Sequence, residues 1–167
     1  LFGGGSGHHK GARELIEAFQ RLPVGTAKLA LAGHYREDLG QLAADIEVVG
    51  ILSAKQFLTL MKESDVVVMP SHDEPFGLIA QEAMFLGRPL VATNIGGLAE
   101  FVDAERAIVV QPGDVESLYR GLLAALAILR DEARRSAMLT SARRAVERFA
   151  PENIVARLES VYDECLQ

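Results

Sequence analysis

Along most of the chain, short continuously apolar runs alternate with segments whose apolar positions recur at helical spacing. The runs Ala27 to Ala32, Ile46 to Val49, Asp65 to Met69, Pro89 to Thr93 and Ala107 to Val110 do not alternate apolar with polar positions. That pattern predicts strands of a parallel sheet covered on both faces. Leu1-Phe2-Gly3 looks like the end of a further buried strand, and with no starting Met the chain is expected to be a piece of a longer protein. Between the strands, Ala12 to Arg21, Ala54 to Glu63, Phe76 to Leu86 and Val115 to Leu129 predict amphipathic helices. Boundary residues agree with these elements. Ser53 and Asp114 can cap helices at Ala54 and Val115, and Gly87 can end a helix in the left-handed conformation. From Glu132 onward the pattern is all helical, with Pro151 dividing Ala133 to Phe149 from a last helix over Glu152 to Cys165. The expected class is α/β: a Rossmann-like parallel sheet with helices on both faces, then extra C-terminal helices. The last helix packs either on this domain or on a second one.

A length of 167 residues fits one domain, and 49% hydrophobic with 24% charged residues predicts a compact globular chain. Seventeen Lys and Arg against 23 Asp and Glu give a formal charge of −6, without a dense basic stretch, which argues against nucleic acid as the partner. The arginines at 134, 135, 143, 144 and 148 are interleaved with acids such as Glu147 and read first as a solvated helix face. Cys165 has no possible intrachain partner, so a reducing, cytoplasmic setting and a packing role for this residue are expected. No apolar run approaches the ~20 residues of a membrane span. Any association with the cytoplasmic membrane face would then be peripheral.

The densest chemical signal runs from Pro70 to Gly87, beginning where a predicted strand ends. Open parallel sheets bind ligands beyond the carboxyl ends of their strands. The helix that follows would offer N–H groups near Gly77, Leu78 and Ile79, with the positive end of its dipole, to a phosphate. Glu74 and Glu82, eight positions apart, can face one pocket, and each carboxylate suits vicinal hydroxyls. From spacing alone, a solvent-exposed loop acid and an exposed helix acid serve equally well.

The run Glu74-Pro75-Phe76-Gly77-Leu78, then Glu82-Ala83-Met84 with Gly87 and Pro89, resembles the paired-glutamate signature of glycosyltransferase family 4, whose members have the GT-B fold. Lys10-Gly11 with Leu15-Ile16-Glu17-Ala18-Phe19, Ala32-Gly33, Val49-Gly50, Ser64-Asp65 to Ser71, Val91-Ala92-Thr93 and Gly96-Gly97-Leu98-Ala99-Glu100 are similar to further landmarks of that family, in order. The resemblance covers essentially the whole chain as the C-terminal, nucleotide-sugar-binding half of a two-domain enzyme. It implies that Glu74 holds hydroxyls of the donor sugar, that Glu82 holds the ribose, and that the backbone of Phe76, Gly77, Leu78 and Ile79 meets sugar and diphosphate. Lys10 would offset charge on the leaving diphosphate. The base would lie at Gly50, Ile51 and Leu52, held through backbone groups, with UDP the most common choice but GDP and ADP open. The family is described as transferring with retention of configuration. The acceptor would be a carbohydrate or a lipid-linked sugar, bound by an N-terminal domain that is absent here.

One departure stands out: the family carries an arginine about five residues before the lysine, and Gly5 holds that place. Either the backbone of Gly4 and Gly5 approaches the phosphates closely, or His8 or His9 supplies a donor, or both histidines are plain loop surface. If nothing compensates, the chain is a non-catalytic nucleotide- or glycan-binding module; another GT-B sugar enzyme, such as an epimerase, is a further alternative. A dinucleotide site fails because G-x-G-x-x-G meets His8 or Lys10 at its last glycine. Neither a metal nor a cofactor is expected, since His8, His9, His34 and His72 lack ligand spacing. Ser71 lacks a nucleophile elbow and is expected only to line the donor site.

Overall fold

The structure, a computed structural model, describes residues 1–4, 8–35 and 39–166. Its sheet contains β1 (Phe2–Gly3), β2 (Leu29–Ala32), β3 (Ile46–Gly50), β4 (Val67–Met69), β5 (Leu90–Thr93) and β6 (Ile108–Val110), in the order β3-β2-β1-β4-β5-β6. Every pairing is parallel. The helices are α1 (Ala12–Gln20), α2 (Ala54–Glu63), α3 (Leu78–Phe85), α4 (Val115–Ile128), α5 (Glu132–Val146) and α6 (Pro151–Cys165).

Continuous apolar strands are explained by β4. Val67 and Met69 enter the core beside Met84, Leu98 and Phe101, whereas Val68 enters the core on the opposite face beside Leu15, Leu31 and Leu118. A strand side chain that alternates between two buried layers needs an apolar residue at every step. β3 departs from this rule, because it closes one edge of the sheet and leaves Glu47 and Val48 exposed.

Capping residues act as expected. Ser53 accepts from the Gln56 N–H at 3.3 Å while Gln56 Oε1 accepts from the Ser53 N–H at 2.9 Å, a reciprocal box that fixes the start of α2. Asp114 caps α4, and Gly87 closes α3 in the left-handed conformation. Two expectations are corrected. α3 begins at Leu78 rather than Phe76, because Gly77 adopts φ 77° and cannot continue a right-handed helix backward. The helix expected to reach Phe149 stops at Val146, and the last turn tightens to a 3-10 turn over Glu147–Phe149. There Phe149 meets Phe76 and Phe101 edge-to-face, with ring centres 5.5 and 5.7 Å apart.

α6 buries none of its residues. Ile154, Val155, Leu158, Val161 and Tyr162 are all exposed, and so is Cys165, contrary to the packing role expected for it. Among the described residues, no helix is long and apolar enough to cross a membrane.

Candidate functional site

Strand order reverses between β1 and β4: from β1 the chain steps outward to β2 and β3, then returns to β4 and proceeds to β5 and β6. Open α/β sheets hold ligands at the carboxyl ends of their strands, where the strand order reverses. Lys10 follows β1, and Glu74 follows β4.

Lys10 ends a 3-10 turn over His8–Lys10. Gly11 caps α1 with φ 73°, and a Cβ there would overlap the carbonyl oxygen of Pro70. The His9 carbonyl accepts from the N–H of His72 at 2.7 Å and, more weakly, from that of Asp73 at 3.4 Å. Backbone therefore packs on backbone, and the two loops are held together tightly enough for Lys10 Nζ to donate to Glu74 Oε2 at 2.7 Å.

Glu74 is only 7% exposed, so it is not a solvated loop acid. Its Oε1 accepts from the Gly77 N–H at 3.1 Å, and the Ser71 hydroxyl lies 3.5 Å from Oε2. Its own carbonyl accepts from the Gly97 N–H at 2.9 Å. Behind it, Thr93 Oγ1 donates to the Ser71 carbonyl at 2.8 Å. Ser71, expected to line the donor site, is buried beside Glu74.

The first turn of α3 differs from expectation at one group. Gly77 N–H is occupied by Glu74, so of the three expected groups those of Leu78 and Ile79 remain, which with Ala80 the helix cannot pair internally. Leu78 and Phe76 are exposed at this end, whereas Ile79 leans inward, its Cδ1 within 2.9 Å of where a Cβ on Gly3 would lie. Glu82, in the second turn, is half-buried, and no hydrogen bond or ion pair to its carboxylate occurs among the described residues. Burial raises its pKa above the usual carboxylate value. A partly desolvated, unpaired carboxylate of this kind gains stability from an incoming hydrogen-bond donor.

At the carboxyl end of β3, the Gly50 carbonyl accepts from the Gly33 N–H at 2.8 Å. Ile51 is 74% exposed, and Leu52 packs against the core cluster that also holds Phe57 and Ile79. Gly4 is engaged, since its N–H donates to the Ala32 carbonyl at 3.0 Å. Gly5 and the side chain of His8 lie outside the described residues. The structure thus brings Lys10, Glu74, Ser71, Gly77 and α3 into one cluster at the β1/β4 reversal, with Gly50, Ile51 and Leu52 at the same ends of the strands toward the edge. A cavity of about 590 Å³ opens elsewhere, among the beginnings of the strands near Leu1, Leu29 and Val66, and contains none of these residues. Gly97 holds the Glu74 backbone and Thr93 that of Ser71; both fell within the family landmarks, but their roles escaped sequence reasoning, because a strand-end threonine and a loop glycine have many uses.

The family model described as "Glycosyl transferases group 1" matches residues 1–144. An uncharacterized glycosyltransferase of Methanocaldococcus jannaschii is 36% identical over 173 residues, which cover 97% of this chain and 44% of that protein. Among solved structures, sucrose-phosphate synthase from Thermosynechococcus elongatus superposes with a TM-score of 0.81 at 26% identity, covering 99% of this chain and 45% of the other. Anabaena HepE, solved with UDP-glucose, shares the fold with a TM-score of 0.77 at 23% identity over 95% of this chain and 48% of its own. The chain therefore spans less than half the length of each of these proteins. With its parallel sheet reversing at β1/β4 and the family model matching most of its length, the chain belongs to the group 1 glycosyl transferases.

Proposed function

We propose that this chain is the donor-binding domain of a family 4 hexosyltransferase that retains configuration and draws on a nucleotide-diphosphate sugar, with UDP as the leading base. The observation that carries the reading is the Lys10–Glu74 pair, 2.7 Å apart, at the strand-order reversal beside the first turn of α3. An ammonium, two N–H groups that the helix leaves unpaired and a dipole end suit a diphosphate, while the two carboxylates suit hydroxyls. Lys10 is paired with Glu74. A diphosphate would compete for the ammonium, and a sugar hydroxyl would take over the carboxylate. As the sugar–phosphate bond breaks, charge develops on the diphosphate oxygens, and an ammonium already aimed there lowers the barrier without reorganising. Glu82 would hold the ribose. In this reading a lysine supplies the cation, with no metal or cofactor. A second domain would bind a carbohydrate or lipid-linked acceptor, and the exposed apolar side of α6 would help seat it.

The test is calorimetric titration of the chain with UDP, GDP and ADP and their glucose or mannose conjugates, alongside Lys10→Ala. Selective binding that weakens about 10- to 100-fold in the variant, the value of a charge-assisted hydrogen bond, supports the reading. Binding that ignores Lys10, or none at all, overturns it.

A further inference from the structure

Glu14 stands in the first turn of α1, and its Oε1 lies 3.3 Å from His72 Nε2. The contact joins the helix that follows Lys10 to the loop that carries Glu74. The same two segments already meet through backbone on both sides of Lys10: His9 accepts from the His72 N–H, and Gly11 is lodged against Pro70. Lys10 sits between these anchors. Besides the Lys10–Glu74 pair, the Glu14–His72 contact is a side-chain tie between α1 and the loop at His72. It is sheltered, with the two side chains 25% and 33% exposed. The imidazole is backed by the loop after β6, where a Cβ on Gly113 would stand 3.9 Å from His72 Nε2. An imidazole N–H at Nε2 donates to the carboxylate whether the ring is neutral or protonated.

We infer that Glu14 and His72 are a positioning pair for Lys10, holding its ammonium where a diphosphate meets it; the inference rests on the donor-site reading above. Neither residue belongs to the expected donor contacts, so their effect passes through the placement of Lys10. Misplacement of a charged group by an ångström sacrifices much of its interaction with a bound anion. Glu82 and the Gly50 loop are carried by α3 and β3, which the pair does not tie. Loss of the pair therefore weakens recognition of the diphosphate and spares recognition of the nucleoside.

The experiment compares whichever of UDP, GDP or ADP binds tightest, measured by calorimetry, with its nucleoside, measured by ligand-observed NMR. Wild type, Glu14→Ala, His72→Ala, their double variant and His72→Gln are titrated, and each variant's Tm is recorded. His72→Gln keeps an amide N–H at similar reach. Each alanine variant is expected to weaken the nucleoside diphosphate by roughly threefold to tenfold, the worth of one partly sheltered hydrogen bond. Nucleoside binding stays unchanged, glutamine restores affinity to within about twofold, and the double variant is no worse than either single one. A lowered Tm with unchanged diphosphate affinity would assign the pair a purely structural role and overturn the inference. So would equal weakening of diphosphate and nucleoside. If wild-type binding is independent of Lys10, the donor-site reading itself fails and takes this inference with it; if wild-type binding needs Lys10 but not the pair, only the inference fails.

Discussion

Replacing Glu74 by alanine should unsettle the fold before it affects any ligand. The carboxylate accepts from the buried Gly77 N–H at 3.1 Å and from Lys10 at 2.7 Å, with Ser71 Oγ at the limit of hydrogen-bond reach at 3.5 Å. A hydrogen bond to a charged group is worth about 1.5–3 kcal/mol, and the Gly77 contact is of this kind. The Lys10 side chain is 26% exposed and can turn to water, so its pairing contributes nearer the ~0–1 kcal/mol of a solvent-reachable ion pair than the value of a sealed one. The sum is about 2.5 kcal/mol, and at ~2–4 °C per kcal/mol for a domain of this size Tm should fall by roughly 5–10 °C. Glu74→Gln keeps an acceptor for Gly77 and should lose less than half as much. Scanning calorimetry with a urea titration reads both variants, the slope m confirming that compactness is unchanged. An alanine variant melting within about 1 °C of wild type, or a glutamine variant as damaged as alanine, would refute the view that this carboxylate is a structural acceptor as well as a ligand group. The same reasoning makes glutamine the cleaner probe of sugar binding.

Glu82→Gln should raise Tm at neutral pH. The folded-state pKa of Glu82 is raised, so its contribution to stability is present below the pKa of an unfolded glutamate and lost as pH rises through the folded value. Ionised Glu82 thus opposes folding, and the gain of the glutamine variant should vanish in acid; a constant gain down to low pH would contradict this. Gly77→Ala should cost about 2–4 kcal/mol in urea unfolding, since the residue holds φ 77° and a Cβ there would overlap the Leu98 side chain. A loss below about 1 kcal/mol would show that α3 starts differently. Leu158→Glu should change the stability of this chain by less than about 0.5 kcal/mol, because α6 buries nothing; a larger loss by thermal melt would mean α6 belongs to the core.

Much of this fold was legible in the order of residues. Val67-Val68-Met69 announced a strand covered on both faces because each successive side chain enters a different apolar layer, and Ser53 with Gln56 announced a helix start through chemistry local to four positions. Glu74 and Glu82 could be singled out because their spacing is a property of the chain itself. The pairing of Lys10 with Glu74 could not, since it depends on β1 lying beside β4. The contact of the Ser71 hydroxyl with Glu74 could not be read for the same reason: only the turn around Glu74 decides whether a loop hydroxyl faces solvent or a neighbour. Cys165 was misjudged because apolar spacing in α6 reveals a face but not whether anything covers it.

The two halves of the cluster are 64 positions apart in the chain, on either side of the crossover between the sheet's halves. As a matter of assembly, no β-α unit carries both halves, and a partly folded chain that has built only β1 to β3 has a lysine but no carboxylate to meet it. Contacts of such long sequence separation form only after a large loop-closure entropy has been met. A ligand that needs both groups should therefore recognise only the completed sheet. By mass action its binding energy would be added to the global unfolding transition rather than to a local one, and amides in β6, far from the ligand, should gain hydrogen-exchange protection together with those beside it.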